Sequence, residues 1–322
     1  MSAGLSRRLV LGAALPAVLP AIARAEETFD LWLEGLRRDA RAAGVRSSTL
    51  DRALAGIAPI PRVIELDRKQ PEGRFTFDEY RARVVTDQRV LRGRELAATH
   101  ARLLSRVQER YGVPRRVIVA LWGIESNFGT RPGTYSVIAS LATLAHEGRR
   151  ASFFRKELIA ALKVIDAGDI SPDRMIGSWA GAMGQCQFMP STFLGYAVDF
   201  NGDGRRDIWG TTPDVFASMA NYLANVGWDP GLRWGRRVQA PERIRQEGAG
   251  LDRRAPIQHW QAKGVRLPDG GDLPVAAVEA SLLDMDGPSY LVYPNFRTIM
   301  VWNRSTYFAL CVGLLSDLIE SG

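Results

Sequence analysis

From Phe29 to about Val107, apolar side chains recur at helical spacing, as at Phe29, Leu31, Trp32 and Leu36 and again at Val90, Leu91, Leu96 and Leu103. That periodicity predicts several amphipathic helices. Pro59, Pro61 and Pro71 divide the stretch, and Asp67 to Glu72 (DRKQPE) is expected to be a polar connection. Helices joined by Gly-rich loops continue through residues 111–228. After Trp228 the pattern changes: Gly and Pro become frequent, and short β-type runs at residues 276–283 and 290–293 lie between turn signals. A small, mostly β insert is predicted there, with helical character returning over residues 299–319. The fold class that follows is α+β and mostly helical.

One apolar run has no helical partner pattern. Residues 9–23 follow Ser6-Arg7-Arg8 and end at Ala23-Arg24-Ala25, the layout of a cleavable export signal over residues 1–25. The run contains Pro16 and Pro20 and is shorter than the roughly 20 apolar residues a membrane span needs, so no membrane anchor is expected. The Arg pair followed by Leu9-Val10-Leu11 is similar to a twin-arginine signal, although general secretory signals also carry arginine pairs. No cysteine near the cleavage site offers a lipid attachment point.

Composition adds bounds. The 322 residues are 46% hydrophobic and 24% charged, which excludes a disordered chain. The net charge of +7 includes Arg7, Arg8 and Arg24, so the chain after residue 25 carries 39 − 35 = +4. That modest excess, with acids interspersed, argues against a nucleic-acid partner. Cys186 and Cys311 permit at most one disulfide, so the core must hold the fold. His100, His146 and His259 are too scattered for a zinc site, and no phosphate-cradling Gly-Lys motif occurs.

The chemistry begins with one carboxylate. Tyr111-Gly112-Val113-Pro114 punctuates the start of a helix, with Pro114 suited to its first turn, and Gly129 lies near its expected end. Stepping back by helical periods from Glu125 reaches Trp122, Leu121, Ile118 and Val117, so its carboxyl emerges on an apolar face. Desolvation and the negative end of the helix dipole both raise such a pKa, as a general acid for glycosidic cleavage requires. A buried ion-paired Glu, or one pointing to solvent at a frayed end, fits the same pattern.

Trp122-Gly123-Ile124-Glu125-Ser126-Asn127-Phe128-Gly129 resembles the catalytic segment of the membrane-bound lytic transglycosylase B family of murein-cleaving enzymes. Gly177-Ser178-Trp179-Ala180-Gly181-Ala182-Met183-Gly184-Gln185-Cys186-Gln187-Phe188-Met189-Pro190-Ser191 resembles that family's signature glycine by glycine. His146-Glu147-Gly148-Arg149-Arg150, Asn221-Tyr222-Leu223, Gly227-Trp228, Asn295-Phe296 and Trp302-Asn303 with Ser305 fit further family segments, and Asp67 to Glu72 fits its N-terminal domain. The resemblance implies a lysozyme-like core over residues 111–228, an N-terminal helical domain over 26–110 completed by about 300–322, and the small β domain over 229–298.

It also implies roles. Glu125 would be the single acid and base in cleaving the MurNAc-β-1,4-GlcNAc bond to a 1,6-anhydro product without water. Ser178 and Gln187 would orient the saccharide, Met183 and Phe188 would line the cleft, and Tyr80, Tyr222, Trp302 and Asn303 would line the groove. Arg149 and Arg150 would meet the lactyl carboxylate or peptide acids. From the residues alone, Ser178, Gln185 and Gln187 offer hydrogen-bond groups suited to sugar hydroxyls and acetamides, but the glycine-rich segment reads more readily as a tight packing loop, and the two arginines read almost equally as a solvated helix end. Peptidoglycan strands are the implied partner, wall-synthesis or division proteins are further candidates, and the periplasm is the implied location. No cofactor is expected for catalysis.

Asp199-Phe200-Asn201-Gly202-Asp203-Gly204-Arg205 has the D-x-N-x-D-G spacing of a calcium loop. Gly210 stands where a regular loop closes with Glu. The resemblance points to Asp214 as the closing ligand instead, with Arg205 offering only its backbone carbonyl, so a structural Ca2+ is a candidate ligand. An Asx-rich surface turn is the competing reading. Ordinary glycosidases use two carboxylates, and a hydrolytic muramidase or a non-catalytic murein-binding protein remain the alternatives.

Overall fold

A computed structural model describes residues 28–69, 75–285 and 287–320. The residues of the expected signal peptide therefore lie outside the described residues, as do Gln70, Pro71 and Glu72. Among the described residues no helix is long and apolar enough to cross a membrane.

The N-terminal part contains α1 (Phe29–Ala42), α2 (Ser47–Ala53), α3 (Pro61–Arg68), α4 (Phe77–Val84), α5 (Asp87–Thr99) and α6 (Ala101–Tyr111). Helix starts follow local chemistry. Thr28, Thr76 and Thr86 accept from backbone N–H groups ahead of α1, α4 and α5, and Thr76 with Glu79 completes a capping box. Asp67, expected in a polar connection, instead occupies the last turn of α3 and is 3% exposed. Pro61 starts this short helix, because its missing N–H costs nothing at the first position.

The next segment holds α7 (Arg115–Ser126), β1 (Tyr135–Ser136), α8 (Val137–Glu147), α9 (Ala151–Ala167), β2 (Ile176–Gly177), α10 (Pro190–Tyr196) and α11 (Thr212–Asn225). β1 and β2 pair antiparallel, Tyr135 opposite Gly177. Pro114 lies one residue ahead of α7, and the helix ends three residues before Gly129. Asn127 and Phe128 turn out of it with φ of 49° and 57°.

Beyond residue 228 come β3 (Gly235–Val238), α12 (Glu242–Gly248), β4 (Ala255–Pro256), α13 (Ile257–Ala262), β5 (Glu279–Asp284), β6 (Ser289–Val292), α14 (Pro294–Trp302) and α15 (Thr306–Glu320). The strands form one antiparallel sheet in the order β3-β6-β5-β4. The sheet shares this region with helices, so "mostly β" understates its helical content. α12 and α13 span six to seven residues, too short for periodicity to distinguish them from turns.

Alternation along the central strands explains how the insert docks. Leu283, Tyr290 and Val292 face the main core, while Ala280, Leu282 and Leu291 face a second core with Ile244, Ile257, Trp260 and Tyr293. α15 packs on α4, α5 and α7, carrying the end of the chain back into the N-terminal helices. This return also sets α14, which ends in Trp302, against α11 and α15.

Candidate active site

Glu125 sits in the last turn of α7, below a fully buried face of Val117, Ile118 and Leu121. Its side chain keeps part of its surface open, while protein atoms enclose the carboxyl. Trp302, at the end of α14, donates its indole N–H to Glu125 Oε1 at 2.6 Å. Burial pushes the carboxyl pKa from its ordinary 4.5 up to about 7, and the indole hydrogen bond pulls it back toward the charged form. No neighbouring carboxylate contributes to the shift.

Aromatic rings back Trp302: Phe188, expected to line the cleft, is 2% exposed and Tyr222 8%, so both belong to the core behind it. The Trp302 centroid is 5.2 Å from Phe188 and 5.0 Å from Tyr222, and Tyr222 stands 4.8 Å from Tyr196. The Tyr222 hydroxyl donates to Val301 O at 3.0 Å, which fixes its ring against α14. Tyr80, on α4, packs against Tyr307. Its hydroxyl pKa is pushed up to about 12, chiefly by burial, with Cys311 and the Glu125 charge adding. The structure thus brings Glu125, Trp302, Phe188, Tyr222 and Tyr80 to one region.

The glycine-rich segment is a tightly packed support. A Cβ at Gly177 would overlap Ala182 O, and at Gly181, with φ of 89°, it would enter Leu141. These glycines therefore serve backbone packing, the reading that the residues alone favour. Met183 is fully buried behind the loop, where its backbone exchanges both hydrogen bonds with Phe188, so it lines the core rather than the cleft surface. Ser178 Oγ accepts from Ala182 N–H at 3.0 Å, which leaves its hydroxyl hydrogen to donate. Gln187 has φ of 50°, and its Nε2 donates to Pro132 O and Gly184 O at 2.9 and 2.8 Å.

Three expected contacts are spent elsewhere. Arg149 donates to Asp67 O at 2.7 Å and lies 3.5 Å from Asp67 Oδ2, because that buried carboxylate needs a cation. Arg150 places its guanidinium 5.0 Å from the centroid of the Phe154 ring. Asn303 Oδ1 accepts from Ser305 N–H at 3.0 Å, bracing the turn into α15.

Gln185, which the sequence offers as a hydrogen-bond group for sugar, is used inside the protein. Its Oε1 accepts from Trp122 Nε1 at 2.8 Å and its Nε2 donates to Trp209 O at 2.8 Å, tying the Glu125 helix to the glycine-rich loop. Its place within the signature was the available signal, but a single Gln gives no sign of which backbone it will meet.

The family model described as the transglycosylase SLT domain matches residues 28–317. The chain belongs to this family of lytic transglycosylases. It is 34% identical over 247 residues to the membrane-bound lytic murein transglycosylase B of Escherichia coli K12, covering 74% of this chain and 66% of that protein. The chain thus spans just under two thirds of that relative. SltB3 from Pseudomonas aeruginosa, solved in complex with NAG-NAM-pentapeptide, is 46% identical with a TM-score of 0.89, over 92% of this chain and 80% of that one. The E. coli lytic transglycosylase Slt35, solved in complex with calcium, is 30% identical with a TM-score of 0.78, over 90% and 92% of the two chains. The lysozyme-like fold expected of the family is thereby shown.

In this lytic transglycosylase fold the D-x-N-x-D-G loop joins α10 to α11. Its oxygen donors suit a hard cation, but they are already engaged. Asp199 accepts from the N–H groups of Gly202, Asp203 and Gly204, and Asn201 Nδ2 donates to Asp203 Oδ2 at 3.0 Å. Asp214 is fully buried at the start of α11 and accepts from Phe200 N and Asp207 N at 2.8 and 2.9 Å. Arg205 N–H donates to Asp203 Oδ1 at 2.9 Å. Among the described residues, no three His, Cys, Asp or Glu side chains are grouped to hold a metal. The loop's donors are of the type calcium takes, held here by the loop's own N–H groups, and nothing in the site's chemistry passes through it.

Proposed function

We propose that the protein cleaves the MurNAc-β-1,4-GlcNAc bond of peptidoglycan without water, leaving 1,6-anhydro-MurNAc, with Glu125 as its single acid and base. The observation that carries this reading is the enclosed Glu125 carboxyl, pushed up to about 7 with no second carboxylate contributing. Near neutral pH such a group exists in both forms, so one residue can donate a proton and then take one back.

The mechanism follows from hydrogen-bond polarity. Indole N–H is a donor only, so Oε1 of Glu125 is held as an acceptor and the acid proton resides on Oε2. That proton passes to the glycosidic oxygen as the bond breaks. The electron-poor anomeric carbon is then stabilised by the substrate's own N-acetyl group. The Glu125 carboxylate next removes the proton of the C6 hydroxyl, whose oxygen closes the anhydro ring and restores the acid. Ser178 and Gln187 would orient the sugar, and the partly exposed Tyr80 and Trp302 would give its faces apolar contact, with the buried Phe188 and Tyr222 packed behind Trp302.

SltB3 in complex with NAG-NAM-pentapeptide supports the substrate class. A murein substrate supports a periplasmic location. The Asp199 to Asp214 loop is proposed as a structural calcium site, a reading supported by the Slt35 complex with calcium.

Mass spectrometry of muropeptides released from sacculi by the protein, with and without calcium, tests the reaction. Anhydro ends, lighter than reducing ends by one water, are expected. Reducing ends alone would make the protein a hydrolytic muramidase.

A further inference from the structure

A cavity of 640 Å³ opens between α5 and the loop that follows Glu125, within the size range of ligand sites. Four arginines line it, Arg83, Arg89, Arg92 and Arg131, against one acid, Glu95, giving 4 − 1 = +3. Arg92 is already paired with Glu95 at 2.7 Å. Among the described residues, Arg83, Arg89 and Arg131 have no carboxylate partner. Arg83 lies 4.0 Å from the centroid of the Phe75 ring, and Arg89 donates to Val84 O while its buried Nε has no partner. Arg131 lies close enough that its charge, after burial, is the next force holding Arg89 below its ordinary pKa. Guanidinium groups without a carboxylate partner, gathered in a polar recess, suit an anionic ligand.

The position limits which anion. Arg131 is six residues beyond Glu125, on the loop that also gives Asn127 and Thr130 to the cavity wall. Tyr80 feels both charges: Glu125 raises its pKa and Arg89 lowers it. The cavity therefore neighbours the place where the glycan would be cut. Arg149, which the sequence offered for peptide acids, is held by Asp67 instead.

We propose that this arginine cavity seats the acidic stem peptide of the murein strand, with Arg83, Arg89 and Arg131 meeting its carboxylates. Guanidinium forks match carboxylates bidentately, and two such charge-assisted contacts serve affinity rather than chemistry. The inference rests on the murein reading given above.

The test is the double variant Arg83→Gln/Arg131→Gln, whose side chains are exposed and hold no ion pair among the described residues. Glycan strands bearing stem peptides are compared with the same strands stripped of peptide by an amidase. On peptide-bearing strands KM should rise about tenfold or more with kcat unchanged, while both constants stay at wild-type values on stripped strands. Equal KM values in variant and wild type, or an equal rise on both substrates, would overturn the proposal. Calorimetry reads the same point without turnover: the variant should bind NAG-NAM-pentapeptide about tenfold more weakly and peptide-free NAG-NAM unchanged, and equal peptide affinities would overturn it. A wild-type protein that cleaves neither strand but keeps that affinity difference would fail only the transglycosylase reading.

Discussion

Trp302 Nε1 stands 2.6 Å from Glu125 Oε1, a contact between residues 177 positions apart in the chain. α14 and α15 carry the indole there, so the C-terminal segment is part of the acid's environment. Trp302→Phe keeps the aromatic contact with Phe188 and Tyr222 but removes the donor. Because that hydrogen bond favours the charged carboxylate, its loss should move the alkaline limb of the pH profile upward. Loss of the fixed proton position should also lower kcat by about ten- to a hundredfold, the range expected for a hydrogen bond to a charged group. A pH–rate profile measured with both proteins decides it; an unchanged alkaline limb would remove Trp302 from the acid's electrostatics.

Glu125 should also make stability depend on pH. Its folded pKa of about 7 lies above the unfolded value of 4.5, so folding favours the protonated form. The stability this gives is fully present below pH 4.5 and is lost as pH rises through 7. Glu125→Gln removes the penalty on ionisation while keeping an oxygen for the indole N–H. At pH 8 the variant should be the more stable protein, by about 3 kcal/mol from a shift of this size at 1.36 kcal/mol per unit. That advantage should vanish at pH 4. Thermal unfolding of both proteins across this range measures it, and a constant difference would show that the carboxyl is not buried in its charged form.

The helices and the acid were legible because each leaves a local trace. The 3.6-residue period marked the amphipathic segments, and the apolar residues one and two turns before Glu125 marked its environment. The pairing of Trp302 with Glu125 left none, since only the path of α14 and α15 brings the two together. Arg149 misled for a related reason: its partner Asp67 looked like part of a surface connection until α3 buried it. The partners of Gln185 and the short helices α12 and α13 were likewise invisible, because they are set by distant backbone and by the second core.

Gln185 should behave as a positioning residue. It joins Trp122, one turn before Glu125, to Trp209 and the loop that leads into α11. Gln185→Leu preserves bulk but leaves the Trp122 N–H and the Trp209 carbonyl without this partner. The expected cost is about 2 kcal/mol in denaturant unfolding, from two lost hydrogen bonds of about 1 kcal/mol each. A matching fall in kcat is expected at temperatures where the variant remains folded, with KM close to wild type. Wild-type stability in Gln185→Leu would mean that the loop and α7 are held together by packing alone.

Calcium should act on stability and not on chemistry. Asp214 already closes the loop by accepting from Phe200 and Asp207, so the loop has a defined shape from its own hydrogen bonds. A cation taken up by Asp199, Asn201 and Asp203 would have to draw their oxygens from the backbone N–H groups of the loop, which predicts modest affinity. Binding to the folded state alone adds RT ln(1 + [Ca2+]/Kd), about 2.7 kcal/mol at a hundredfold excess over Kd. Calcium should therefore raise the unfolding temperature of the wild type in a concentration-dependent way, and Asp203→Ala should abolish the response without destabilising the calcium-free protein to the same extent. Asp214→Ala should destabilise even without calcium, since it strips two backbone donors of their buried acceptor. If calcium leaves the unfolding temperature unchanged while Asp214→Ala still lowers it, the loop is an Asx-rich turn held by its own hydrogen bonds and the cation has no part in it.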